Sequence, residues 1–320
     1  MSFDPDSKPA SEGDTTRMLF EPPQRLVRAL GEAYPDVAAD WLGQVPKLAE
    51  EAVSRRKLTV ERVQNPGGRS SLVVLVRQQD GTPAALKIAP EAAGPALERA
   101  ALAHWNGWGA VQLLDTDAGA DGAAGAGELL LERLHSEVSL RSLPEAKALL
   151  EAAGIVRRLW IEPPPDHVFE TVAERTARQA AAMRSADPAL APLIEAALAA
   201  RDELTASADE LLLLHGNFRQ GKVLAGDRAP WLAVGPDPLV GERAYDLARL
   251  VRDRVEDLVA SAGGTSATRR RVNRLADSLD VDRARLHGWT LFRAVESGVR
   301  ATAAGRHQDA ELLLEFAAWL

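Results

Sequence analysis

The stretch Leu72-Val-Val-Leu-Val-Arg-Gln-Gln-Asp-Gly-Thr-Pro-Ala-Ala-Leu-Lys-Ile88 decides the fold. Its two ends, Leu72–Arg77 and Ala84–Ile88, are β-branched or alternating runs of strand length. Asp80-Gly81 between them reads as a hairpin turn, because glycine accepts a positive φ without steric cost. Upstream, Leu58–Val63 reads as one more strand, set off by Asn65-Pro66-Gly67-Gly68. Downstream, Pro95 opens a helix that carries Leu97, Ala101, Leu102 and Trp105 on one face. Two further strand-like runs, Val111–Asp115 and Glu128–Leu134, flank a Gly-, Ala- and Asp-rich loop over 116–127, read as a mobile connection without chemistry. Pro23 to about Arg56 carries apolar residues at helical spacing.

After Leu134 the apolar period is 3.6 residues almost throughout: Pro144–Trp160, Phe169–Arg184, Leu190–Leu204, Ala244–Ala260, Thr268–Leu279 and Arg283–Ala304. One island interrupts them, with strand-like Glu210–Leu214, a turn over His215–Lys222, then Val223–Leu224 and Trp231–Val234. A sheet-bearing segment before a helical one predicts an α+β protein. The expected organisation is a disordered 1–17, a small antiparallel-sheet lobe over 18–134, and a larger helical lobe over 135–320 with a hairpin at 210–238.

Composition narrows the chemistry. Over 320 residues, 46 acidic side chains outnumber 38 basic ones, giving a formal charge of −8. Binding to a nucleic-acid backbone needs clustered positive charge, which this balance argues against. The acidic sign is compatible with a cationic small molecule. Cysteine is absent, which removes disulfides, thiolate nucleophiles and cysteine-held metals. No apolar run is long enough to span a membrane, and the polar start lacks the pattern of a signal peptide, so a cytoplasmic location is expected. Only six residues are lysine, so a lysine at a motif position carries information.

The order strand, Gly turn, strand, hairpin, lysine, helix, two strands, helices, His-Gly turn resembles the protein-kinase-like small-molecule kinases. It is most similar to the aminoglycoside phosphotransferases of the streptomycin and hydroxyurea resistance type. The segments that carry the likeness are Asp80–Lys87, Glu98–Trp105, Trp108–Asp115, Leu129–Leu134, Ala229–Val234 and Pro238–Arg249. The resemblance implies an ATP-binding, two-lobed, kinase-like fold over about residues 20 to 320. It assigns Lys87 to the nucleotide phosphates with Glu98, 11 residues on, as its partner. Backbone groups around Glu132 and Leu134 would meet the adenine. Gly67 and Gly68 would cradle phosphates, although a plain hairpin turn explains those glycines equally well. Tyr245-Asp246 would brace the catalytic turn.

The catalytic segment departs from the family's pattern. Where the family carries H-G-D-L-H-x-x-N-V-L, this chain reads His215-Gly-Asn217-Phe-Arg219-Gln-Gly-Lys222-Val-Leu224. The carboxylate beside the substrate hydroxyl becomes Asn217, and loss of general-base help alone costs about 10²- to 10⁴-fold. The metal-binding asparagine becomes Lys222, which offers no lone pair when protonated. The family's I-D-P-x-P becomes Val234-Gly235-Pro236-Asp237-Pro238, so the main metal carboxylate is a hydrogen atom at Gly235. These replacements imply a pseudokinase with phosphoryl transfer lost or severely impaired. It would bind nucleotide with little or no need of Mg²⁺, Lys222 and Arg219 supplying charge, in a sensing or regulatory role with a small molecule or a protein partner. The alternative is an active O-phosphotransferase that uses Asp237 as a substitute metal ligand. Asp166, Glu170 and Glu174 are candidate contacts for a cationic substrate, with solvated helix charge the plainer reading. Trp105, Trp108, Trp231, Trp289 and Trp319 are expected in the core, and Arg269–Arg271 on a solvated helix face.

Overall fold

The computed structural model describes residues 19–115, 125 and 127–320. The expectations for 1–17, and for nearly all of the loop over 116–127, lie outside these residues. The chain divides into two compact units, one of Met1–Arg99 with Gln112–Arg133, the other of Ala100–Val111 with Leu134–Leu320.

The first unit is a four-stranded antiparallel sheet in the order β1-β2-β3-β4, with β1 Thr59–Val63, β2 Leu72–Arg77, β3 Pro83–Ile88 and β4 Glu128–Glu132. The Asp80-Gly81 turn fixes its central register. Gly81 takes φ +84°, and the Asp80 carboxylate accepts from Thr82 N at 2.9 Å. This pairs Val74 with Leu86 and Val73 with Lys87. Alternation then sends Leu72, Val74, Val76, Ala84, Leu86 and Ile88 into the core. Two helices supply the other side of that core, α1 Gln24–Ala33 and α2 Pro35–Arg55, through Leu26, Leu30, Val45, Ala49 and Ala52. The helical pattern from Pro23 to about Arg56 forms two helices, broken at Tyr34-Pro35, where the proline ring suits a first helical position. Arg55 and Arg56 clasp Glu128 at 2.5 and 3.4 Å, tying the helix end to β4. Val111–Asp115 forms only one isolated bridge, Leu113 to Leu131, not a strand. Helix α3 spans Pro95–Trp105, and the unit boundary falls within it.

The second unit is mostly helical and holds a three-stranded sheet in the order β5-β7-β8, with β5 Leu134–Ser139, β7 Val223–Gly226 and β8 Leu232–Ala233. A second pair joins β6 Leu212–Leu214 to β9 Leu239–Gly241. The run Glu128–Leu134 is therefore divided between β4 and β5. The helices are α4 Glu145–Leu159, α5 Val172–Arg184, α6 Ala191–Ala206, α7 Arg243–Val251, α8 Val255–Ala260, α9 Gly264–Leu279, α10 Arg283–Ala303 and α11 His307–Ala317. The expected helix 244–260 is two, because Arg254 takes φ +56° and caps the carbonyls of Arg141 and Leu143 at 3.2 and 2.9 Å. Helix α11 restarts beyond Gly305 at φ +69° and was not read from the pattern. Among the described residues no helix is long and apolar enough to cross a membrane.

Candidate functional site

Lys87 sits on β3, pointing away from the core that Leu86 and Ile88 face. Its ammonium forms an ion pair with the Glu98 carboxylate on α3. Both side chains are nearly enclosed, at 11% and 6% exposure, so the pair is held rather than solvated. The resemblance implies this pairing, and the structure brings the two residues together. Gly67 takes φ +72°, and a Cβ there would stand 2.8 Å from Gln64 O; one on Gly68 would stand 3.1 Å from Ser71 O. The glycines are therefore required by a tightly folded turn between β1 and β2. Glu132 is engaged by Gln112, its N–H donating to Gln112 O at 3.0 Å and its carboxylate accepting from Gln112 N at 2.7 Å. Leu134 opens β5.

In the second unit the turn His215–Lys222 follows β6. Gly216 takes φ +71° and a Cβ on it would collide with Asp237 O at 1.8 Å, so no other residue fits there. Asp246, fully buried on α7, accepts from His215 N at 3.0 Å, Gly216 N at 2.9 Å and Trp160 Nε1 at 3.3 Å. Burial pushes its carboxyl above the usual range, against the nearby Arg293 charge and these donors. Asp246 is thus the brace of the turn, the role its sequence context implied. Arg293 on α10 holds the other side, donating to Gly216 O and Tyr245 O at 2.8 Å each. His215 is wholly buried and stacks on Trp105 with centroids 6.4 Å apart. Burial, aided by the Lys222 charge, drops its pKa to about 3, so the imidazole is neutral at pH 7.

The three departures in the catalytic segment lie in this unit. Asn217 follows the turn, its N–H donating to His215 Nδ1 at 3.3 Å. Lys222 ends a short 3-10 turn, and its backbone carbonyl accepts from Val234 N at 2.9 Å. Its side chain reaches across to Gly235: a Cβ at that glycine would stand 2.6 Å from Lys222 Nζ. The ammonium therefore fills the space that a side chain at position 235 would need. Asp237 is bound by Arg175 on α5 in a two-pronged bridge at 2.9 and 3.2 Å. Burial works to raise its carboxyl, but Arg175 outweighs that and holds it below the usual range. At the two positions that the resemblance assigns to metal ligands stand an ammonium and a glycine, and the Asp237 carboxylate already has an arginine. Among the described residues no group of three or more His, Asp, Glu or Cys could hold a metal ion.

Other expectations are sorted by the same geometry. Glu174 closes a capping box with Thr171, and Glu170 pairs with Arg175 and Arg178, so both are committed within the fold. Trp108 is 63% exposed under the Arg158 guanidinium rather than in the core, because Gly107 and Gly109 turn the chain outward at φ +77° and +79°. Arg271 is buried, donating to Val251 O and Asp253 O and pairing with Glu145, which corrects its reading as a solvated charge. Sequence reasoning missed Arg175, Arg249 and Arg293, since helical spacing does not distinguish one arginine from another in an arginine-rich chain.

The comparisons agree with this scaffold. A family described as aminoglycoside/hydroxyurea antibiotic resistance kinase matches residues 56–305. Streptomycin 6-kinase of Streptomyces glaucescens is 32% identical over 292 residues, covering 89% of this chain and 92% of its own. Hydroxyurea phosphotransferase of Kitasatospora aureofaciens is 35% identical over 288 residues, covering 87% and 79%. Among solved structures, a thermostable mutant of aminoglycoside phosphotransferase APH(4)-Ia in ternary complex with ADP and hygromycin B superposes with TM-score 0.58. It has 14% identity and covers 84% of this chain and 96% of that one, a likeness of fold.

Proposed function

Since the chain belongs to the aminoglycoside/hydroxyurea antibiotic resistance kinase family, we propose that it is a nucleotide-binding member in which phosphoryl transfer is lost or severely impaired. The observation that carries this reading is the placement of Lys222 Nζ against Gly235. Phosphoryl transfer is catalysed chiefly by positioning and by electrostatic neutralisation of the phosphates, largely through metal ions. Here an ammonium lies where the resemblance puts a metal carboxylate, and a cation there repels Mg²⁺ while it attracts phosphate. Lys87 with Glu98 supports nucleotide docking, because a lysine held by a carboxylate presents its charge in one place. Neutral Asn217 leaves the acceptor hydroxyl without a base.

A calorimetric titration with ATP, in Mg²⁺ and again in EDTA, tests this. Binding in both, lost on Lys87→Met, is the expected result. No binding in either removes the nucleotide from the account, and binding only with Mg²⁺ defeats the metal-independent part.

A second reading has its own support. The curated relatives are named as kinases and phosphotransferases at 32% and 35% identity, and on kinship alone they favour an active enzyme over a silent one. It would be an O-phosphotransferase acting on a cationic small molecule of the aminoglycoside type, with Asp237 as substitute ligand. It requires Asp237 to leave Arg175, and it repairs one of three losses.

A further inference from the structure

Helix α7 places Tyr245 and Asp246 against the His215-Gly216 turn and Arg293, as described above. Arg249 lies three and four residues on, so it rises from the same face of the helix. It is partly buried, and among the described residues it has neither a hydrogen bond nor an ion pair. Its charged neighbours are mostly arginines, Arg252 on the following turn, Arg293 and Arg300 on α10, and Arg219 on the turn after β6, with Asp237 as a carboxylate that also feels its charge. Arg293 and Arg300 are seven residues apart and so share one face of α10. Burial and these four like charges hold the Arg249 guanidinium well below its usual pKa.

Among the described residues, the surrounding carboxylates have other partners. Asp237 is held by Arg175, Glu296 accepts from Arg300 at 2.9 Å, Asp246 takes the turn amides and Asp253 takes Gln220 N. Arg252 spends an N–H on Arg293 O at 3.0 Å. A partly buried cation among like charges gains when an anion joins it.

We propose that Arg249, with the arginines around it, is the grip of a metal-free site for a phosphate-bearing anion beside the His215-Gly216 turn. Guanidinium groups suit phosphate because their planar donors meet two oxygens at once. The ligand class is therefore anionic, opposite in sign to an aminoglycoside. The proposal goes beyond nucleotide binding, since a phosphate chain without adenosine would satisfy it.

The test uses the full chain in EDTA, titrated calorimetrically with inorganic tripolyphosphate and separately with ATP, in the wild type and Arg249→Met. Tripolyphosphate should bind the wild type, and Arg249→Met should weaken it by about tenfold or more. Ligand-free Arg249→Met should melt no lower than the wild type, because a disfavoured charge is gone. If ATP weakens in parallel, the anion is a nucleotide's phosphate chain. If only tripolyphosphate weakens, it is a separate phosphorylated ligand. If ATP fails and tripolyphosphate binds, nucleotide binding falls and the anion site stands. Undiminished tripolyphosphate binding by Arg249→Met, no tripolyphosphate binding to the wild type, or a melting point several degrees lower in the ligand-free variant would each overturn the proposal.

Discussion

The ammonium of Lys222 stands 2.6 Å from the place where a Cβ on Gly235 would be. The two positions are therefore coupled: a side chain at 235 and a lysine at 222 compete for one space. Gly235 also takes φ +58°, a conformation that aspartate tolerates better than most residues.

The coupling makes an order-dependent prediction. Gly235→Asp alone should destabilise by about 1–3 kcal/mol, from backbone conformation and displacement of the lysine. Lys222→Asn in the same chain should recover much of that loss. A double-mutant cycle by chemical denaturation reads the coupling, and simple additivity would show that the side chains do not meet.

Lys87→Met should weaken ATP binding by about 10- to 100-fold, the loss of one charge-assisted contact to phosphate. Glu98→Gln should weaken it less, since the lysine stays but loses its anchor. Calorimetry on both variants, with melting temperatures to confirm folding, checks the ranking.

The neutral, buried His215 predicts a pH dependence of stability. Its folded pKa of about 3 lies below the unfolded value, so the unfolded chain binds the extra proton. The contribution is complete above about pH 6.5 and falls as the pH drops from there towards 3. Between pH 6.5 and 5 the loss is about 2 kcal/mol. His215→Gln should flatten the fall over this range, measured by urea unfolding at pH 7 and pH 5. An unchanged slope would show that the imidazole takes up its proton as readily in the fold as in the unfolded chain.

Asp246→Asn should cost about 2–3 kcal/mol, because one buried amide donor of the turn loses its charged acceptor. Hydrogen exchange at His215 and Gly216 should quicken in the variant relative to the β2–β3 hairpin of the other unit.

The hairpin around Asp80-Gly81 was legible because a turn dipeptide and an alternating pattern agree on one register. Lys87 and Glu98 were legible because a scarce lysine fell at a motif position. The strand β9, three residues long, gives no period to read, and it exists only because β6 lies beside it. The division of 244–260 depends on Arg254 finding carbonyls more than 100 residues away, which no local pattern records. Replacement of Asn217, Lys222 and Gly235 was visible in sequence, but the contact between the last two was not. The arginine cluster was hidden altogether, since it assembles from α7, α10 and the catalytic turn.

Phosphate transfer from radiolabelled ATP in Mg²⁺ tests the central claim most directly, with streptomycin and hydroxyurea as acceptors. The wild type is compared with the triple variant Asn217→Asp, Lys222→Asn, Gly235→Asp. Wild-type turnover should lie at least about 10²-fold below that of the triple variant, the least that loss of the base would cost. Wild-type turnover at ordinary kinase rates of about 1–100 s⁻¹ would contradict it and establish the active phosphotransferase.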